Sequence, residues 1–467
     1  MDPSRFYTTS LRDARLARIL AAALEAVDPA RAVQAYLREH PLPQGGGIYA
    51  LALGKAALAM LEGLCRFVSP ERALVITKHA PQAMPEDLRG VLPEGALLEG
   101  GHPIPDARSL AAGEAALRFV SGLGREDLLA CLISGGGSAL MSASRVPLEH
   151  LQALTAALLA SGATIEQINT LRRHLDRVKG GGLAVATRAR VLSLVLSDVV
   201  GSPLEAIASG PTTPDPTTRG EALEVLDKYF RVSSPSGDDV RGAAARRRGN
   251  LNVDDNERSL RSTRQDMQDL SSILDALASA PETPKPGDAR FKRVKNVIVG
   301  DNPLAVQAAV EQAGREGFRT ESLGSAWQGE AREVGKSLAE RLRVATKESE
   351  GPTCLVAGGE TTVTLRGEGR GGRNQELALA AVAPLAGLEG VLLVSLASDG
   401  EDGPTDAAGA VVTGETLARA RSLGMDPAET LARNDAYAFF ERLGDLLRTG
   451  PTGTNVNDLT FLFTGLS

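Results

Sequence analysis

Short apolar runs that end in glycine or acidic turns alternate along this chain with longer stretches whose apolar residues recur at helical spacing. Ile48–Leu53, Ala73–Thr77, Leu128–Ile133 and Val191–Leu196 read as strands. Helices are expected over Lys55–Cys65, Ser109–Leu123, Leu148–Ala160 and Ile165–Val178, and the Ala/Leu/Arg pattern over 10–38 predicts one long helix. The rhythm stops between Arg231 and Gln268, where Ser-Pro-Ser-Gly, a triple arginine and Asp-Asp-Asn-Glu-Arg replace large apolar residues. That composition suits a solvated connector. A helix is expected near Leu270–Leu277. Strands then resume at Val294–Val299, Thr353–Ala357, Val391–Ala397 and Leu459–Phe463, with helices at Leu304–Gly314 and Leu377–Ala383. Strands alternating with helices predict the α/β class, a parallel sheet covered by helices. The expected division is a first domain over 1–230, an irregular connector over 231–290 and a second α/β domain over 291–467.

Length supports that division, because 467 residues exceed what one core usually holds. The apolar fraction is 43% but aromatics are only 3%, so Ala, Leu and Val must fill the core, as in helix-covered sheets. A net charge of -7 argues against nucleic acid or an anionic membrane as the main partner. Affinity for phosphate would then have to come from local geometry. Cys65, Cys131 and Cys354 share no metal-ligand spacing and suit a reducing compartment. No basic leader with an apolar core opens the chain, and no apolar run approaches the ~20 residues of a membrane span, so a cytoplasmic protein is expected.

Two glycine-rich turns carry the strongest chemical signal. Ser134-Gly135-Gly136-Gly137-Ser138 follows the apolar run Leu128–Ile133, and Gly367-Glu368-Gly369-Arg370-Gly371-Gly372-Arg373-Asn374 opens a helical run. A strand, a glycine turn and a helix start aim backbone N–H groups at an anion. Gly54-Lys55-Ala56 resembles the end of a P-loop but has Tyr49 where that motif needs glycine and Ala56 where it needs a hydroxyl. A lysine at a helix start is nonetheless placed to meet an anion. Lys179-Gly180-Gly181-Gly182 follows a helix, where its glycines also suit a C-cap, and Gly210 sits in a dense turn cluster. Asp198 ends a strand, where open α/β sheets bind ligands. Glu360 lies in a glycine turn, and Asp399 leads the acidic turn 399–406, a candidate Mg²⁺ site. His102 lies in a rigid Gly-His-Pro-Ile-Pro-Asp loop, and Asn455 and Asn457 in a polar loop suited to a small hydroxylated substrate. The scattered histidines offer no zinc spacing.

Taken in order, Leu53–Ala56, Gly101–Asp106, Ser134–Ser138, Ser197–Val199, Ser209–Thr212, Gly358–Thr361, Gly371–Glu376, Asp399–Gly409 and Gly450–Asp458 resemble the glycerate 2-kinase family, whose C-terminal half is the MOFRL domain. The resemblance implies a Rossmann-like N-terminal domain facing a smaller α/β domain across a cleft. It implies ATP- and Mg²⁺-dependent phosphorylation of D-glycerate to 2-phosphoglycerate, with D-glycerate as the small-molecule partner and a homodimer left open. The family's catalytic lysine and arginine match Lys55 and Arg373. Ser134 to Ser138, Lys179 and Gly210 are then expected on the nucleotide phosphates. His102, Glu360, Asn374, Asn455 and Asn457 are expected on the substrate, and Asp198 and Asp399 on the metal. One departure is Gly201-Ser202 after the Ser-Asp-Val turn, where the family has Gly-Asp.

An NAD(P)H-dependent hydroxypyruvate reductase is the alternative, because Gly367, Gly369 and Gly372 match Gly-x-Gly-x-x-Gly. Against it, no acid falls where a ribose contact is expected: Glu389 comes before the next strand and Asp399 too late after it.

Overall fold

A computed structural model describes residues 1–43, 45–81, 85, 88–230 and 270–466. Residues 231–269 of the connector expected over 231–290 therefore lie outside the described residues. Strands β1 (Ile48–Leu53), β2 (Arg72–Thr77), β3 (Leu97–Glu99), β4 (Leu128–Ile133), β5 (Arg190–Leu196) and β6 (Val294–Gly300) form one parallel sheet in the order β3-β2-β1-β4-β5-β6. β4 is buried along its whole length, which explains its unbroken apolar run. Chain order runs outward in opposite directions from β1 and β4. A crevice therefore opens at their C-terminal ends, the usual ligand position in such sheets. The turns after β1 and β4 carry Lys55 and the triple glycine.

The second sheet comprises β7 (Arg319–Ser322), β8 (Trp327–Glu330), β9 (Thr353–Thr362), β10 (Leu392–Ala397), β11 (Gly409–Thr413), β12 (Leu446–Leu447) and β13 (Asp458–Thr464). Its order is β12-β11-β10-β13-β9-β7, with β8 also pairing β9. β13 runs antiparallel to both β10 and β9. The helices Ala331–Glu348 and Arg373–Leu385 pack against one another, and both contribute to a core they share with β9 and β10. A separate core joins the two sheets: Leu20 and Leu24 of the helix Ala14–Ala26 and Ala50 of β1 cluster with Val306 and Ala309 of the helix Asn302–Arg315 and with Val356 and Phe461 of the second sheet.

Three expectations change. The stretch 10–38 is two helices, Ala14–Ala26 and Pro29–Glu39, because Asp28 caps the second through the Arg31 amide and Pro29 opens it. The helix from Ile165 stops at His174, and the chain turns before the left-handed Gly180 and Gly181. β6 lies beyond the connector yet completes the first sheet, so that sheet extends past the division drawn at 291. Periodicity identifies a strand but not the sheet it joins. Residues 270–290 also belong with the first unit: Ile273 and Leu277 pack with Leu158 and Leu226, and Thr283 donates to Asp215 at 2.9 Å. Among the described residues, no helix is long and apolar enough to cross a membrane.

Candidate active site

The turns after β1 and β4 are stitched together. The Lys55 amide donates to Gly135 O at 3.0 Å, the Ala56 amide to Ser134 Oγ at 3.0 Å, and Ser134 Oγ to Leu53 O at 3.3 Å. The Ser134 hydroxyl is thus buried and used within the fold, and is not the phosphate ligand expected from the sequence. Gly136 takes a left-handed conformation with φ of 86°, and the short helix Gly137–Leu140 begins there. Among the described residues the Gly135 and Gly136 amides have no acceptor. Those of Gly137 and Ser138 open a helix and have no intrahelical one. The Ser138 hydroxyl lies 2.7 Å from that of Ser209.

Three side chains close on this turn. The Asp198 carboxylate, just past β5, lies so near Gly135 that a Cβ there would stand 2.0 Å from Asp198 Oδ2. The His102 ring and the Lys55 stem would meet a Cβ on Gly136 at 3.2 and 3.4 Å. Burial, then the Lys55 and Lys78 charges, push the His102 pKa down to about 4, so its imidazole is neutral near pH 7. Burial raises the Asp198 pKa; the Lys55 charge opposes that shift and the Glu360 charge adds to it. Asp198 therefore links the halves, with Lys55 from the first sheet and Glu360 from the second both acting on it.

The second half centres on Arg373. Register places Asp458, first residue of β13, opposite Gly359 of β9, one residue before Glu360. The Arg373 guanidinium spans both acids. Nε donates to Asp458 Oδ2 at 2.6 Å, Nη2 to Oδ1 at 3.1 Å and Nη1 to Glu360 Oε1 at 2.9 Å. Burial works against the Arg373 charge, but Asp458 and Glu360 more than offset it and its pKa is raised. Burial pushes Asp458 up to about 7 despite Arg373 and Asn374 beside it. Asp458 escaped the sequence reading because it stood at the edge of a polar loop; an acid opening an apolar strand next to the glycine turn's partner was its only signal.

Other expected residues take different places. The second glycine turn is sealed: Asn434 Oδ1 accepts from the Arg366 and Gly367 amides, Arg433 O from Gly369 and Asp435 Oδ1 from Arg370. Asp402 fills the helix start, accepting from the Asn374 amide at 3.0 Å and the Gln375 amide at 2.8 Å. The protein thus supplies its own anion there, which removes both the second phosphate turn and the dinucleotide turn of the reductase reading. Asn374 is buried, donating to Asp458 and accepting from Ser395, so it orients Asp458 instead of meeting substrate. Lys179 is buried with its ammonium on Asp176 Oδ2 at 2.6 Å and Met141 O at 3.1 Å, away from the expected free contact with a nucleotide. The Gly210 amide donates to Ile207 O, and its carbonyl accepts from Gly181. Asp399 and Asn455 both accept from amides two residues on, Glu401 and Asn457, as turn formers. Asn457 is left-handed with φ of 68°, and its carbonyl holds the Ser398 amide. No described interaction joins Asp399 to Asp198.

Among the described residues, no group of three or more His, Cys, Asp or Glu could hold a metal ion by itself. Mg²⁺ usually takes one or two carboxylates and completes its shell with phosphate and water. Asp198 and Glu360, two half-buried carboxylates close enough for Glu360 to raise the Asp198 pKa, fit that need.

Residues 15–240 match a family described as a domain of unknown function, DUF4147, and residues 353–458 match the MOFRL family. D-glycerate 2-kinase of Thermotoga maritima is 37% identical over 449 residues, covering 94% of this chain and 95% of its own. Glycerate 2-kinase of Pyrococcus horikoshii is 36% identical over 457 residues, covering 95% of each. The crystal structure of the Thermotoga maritima glycerate kinase superposes with a TM-score of 0.81 at 36% identity, over 96% of this chain and 98% of that one. With Asp198 against the triple-glycine turn and under the charges of Lys55 and Glu360, and with that likeness running the length of both sheets, the chain belongs to the glycerate 2-kinase family.

Proposed function

We propose that this protein transfers the γ-phosphoryl group of ATP to the 2-hydroxyl of D-glycerate, giving 2-phosphoglycerate and ADP. One observation supports the reading: a half-buried carboxylate, Asp198, lies against the triple-glycine turn, with Lys55 acting on it from one sheet and Glu360, the partner of Arg373, from the other. Phosphoryl transfer asks for alignment and neutralised charge more than covalent chemistry.

The turn Gly135–Ser138 offers amides to the nucleotide phosphates. Lys55 stands beside it and neutralises the group in transfer. Arg373 is held by Asp458 and Glu360, and its guanidinium is of the kind that binds a carboxylate or phosphoryl group once Glu360 gives way to ligand. Asp198 and Glu360 are the carboxylates that would hold Mg²⁺, which supplies charge neutralisation on the phosphates when bound. Neutral His102 lines the wall beside Lys55 without adding charge. In a loose transition state the hydroxyl keeps its proton until late, so no strong base is required.

The test mixes purified protein, D-glycerate and MgATP, follows ADP, and identifies the product by ³¹P NMR. ADP and 2-phosphoglycerate are expected. Lys55→Ala and Arg373→Ala should each lower kcat by ~10³-fold or more. NADH oxidation with hydroxypyruvate and no ADP from glycerate would overturn the reading.

A further inference from the structure

The helix Ile165–His174 presents one face to the site and another to the connector. Asn169 accepts from Ser209 Oγ at 3.3 Å, and Ser209 in turn meets Ser138 at the end of the glycine turn. Three residues on, and so on the same face, lies Arg172. It borders a narrow cleft with Pro105, Ser138, Thr155, Asp176 and Lys179. Pro105 belongs to the His102 loop and Ser138 to the glycine turn, so both loops line the cleft. Its neighbours Arg173 and His174 face the other way, toward Asp215 and Glu282.

The charges around this cleft do not balance. Arg172, Lys179 and Arg145 are cations, and Asp176 is the one carboxylate acting on them among the described residues. Asp176 is committed to Lys179, and it also accepts from Ser142 Oγ at 2.6 Å and the Val178 amide at 2.9 Å. Arg145 Nε is buried with no acceptor. No described residue accepts a hydrogen bond from Arg172 or pairs with it, and burial alone lowers its pKa, with Lys179 the charge that faces it. Arg172 is half-buried, a guanidinium cannot shed its charge near neutral pH, and a partly desolvated charge without a counter-charge is costly. An anion arriving from outside would remove that cost. The cleft has room for about one water, so an anionic oxygen fits where a bulky group does not.

We infer that Arg172 is an anion-binding residue that extends the triple-glycine turn and receives a phosphate oxygen of the bound nucleotide. The nucleotide's identity rests on the kinase reading; the need for an anion does not. Phosphate is favoured over the substrate carboxylate because Ser138, which shares the cleft, belongs to the triple-glycine turn, whose Gly135 and Gly136 amides have no acceptor among the described residues.

The experiment measures binding of MgADP, tripolyphosphate and adenosine by calorimetry, with KM for ATP and for glycerate, in wild type, Arg172→Gln and Arg172→Lys. Arg172→Gln should weaken MgADP and tripolyphosphate by at least ~10-fold, the worth of one charge-assisted contact. Adenosine binding and KM for glycerate should stay within about twofold, and Arg172→Lys should recover part of the loss. Unchanged MgADP binding in a folded Arg172→Gln overturns the inference, as does a rise confined to KM for glycerate, which would make the ligand the substrate carboxylate. Arg172-dependent tripolyphosphate binding by a wild type that forms no ADP would sink the kinase reading and keep this one. An Arg172→Gln that phosphorylates glycerate with unchanged MgADP binding and KM for ATP would do the reverse.

Discussion

Gly135→Ala is the smallest change that tests the site's geometry, because it adds one methyl and no charge. That methyl would stand 2.0 Å from Asp198 Oδ2 and 2.6 Å from its Cγ, where ordinary contact begins at 3.4 Å. Something must therefore give by about 1.4 Å. The turn is tied to β1 through the Lys55 amide, so Asp198 has the easier motion and rotates away from Lys55. Overpacking of this kind costs ~1–3 kcal/mol of stability. A displacement of ~1 Å in a reacting constellation costs ~10²-fold in rate. The assay is coupled ADP release with varied glycerate and MgATP, beside a urea melt. The control is Gly314→Ala, an exposed glycine near the end of the helix Asn302–Arg315 with nothing within 4 Å of its Cβ. The control should keep full activity and match or exceed wild-type stability by up to ~1 kcal/mol. Gly135→Ala turning over within about twofold of wild type would show that Asp198 need not lie against the turn.

Three further outcomes follow from the same geometry. Asp458 ordinarily ionises near 3.8 and here near 7, so between those values the folded chain holds a proton the unfolded chain has lost. That stabilisation is full below 3.8 and gone above about 7: urea midpoints should show wild type losing ~1.4 kcal/mol per pH unit relative to Asp458→Asn across that window, and parallel curves would refute it. Lys179→Met strands the buried Asp176 carboxylate and should destabilise by ~3–5 kcal/mol in denaturant melts; a change below ~1 kcal/mol would show the pair is not structural. Asp402→Ala frees the Asn374 and Gln375 amides at the start of the helix that carries Arg373. It should cost ~1–2 kcal/mol of stability and lower kcat with it, and an unaltered kcat would mean that helix start does not hold Arg373 in position.

Much of the molecule could be read from the chain alone. Unbroken apolar runs such as Leu128–Ile133 announce buried parallel strands, and polar turns at their C-terminal ends mark the crevice, because side-chain period and turn chemistry are local properties. Lys55 and Arg373 came from motif order; Lys55 and Glu360, the partner of Arg373, both act on Asp198. The two glycine turns, by contrast, look alike in sequence and have opposite fates. The Gly135 and Gly136 amides after β4 stay open, whereas those of Arg366, Gly367, Gly369, Arg370, Asn374 and Gln375 are taken by Asn434, Arg433, Asp435 and Asp402, acceptors 27 to 68 positions away. β6 teaches the same thing: an apolar run does not name its sheet. A local pattern states which donors a segment carries. Which acceptor reaches them is decided by packing between segments distant in the chain, because a buried polar group takes whatever partner the fold brings within hydrogen-bonding distance.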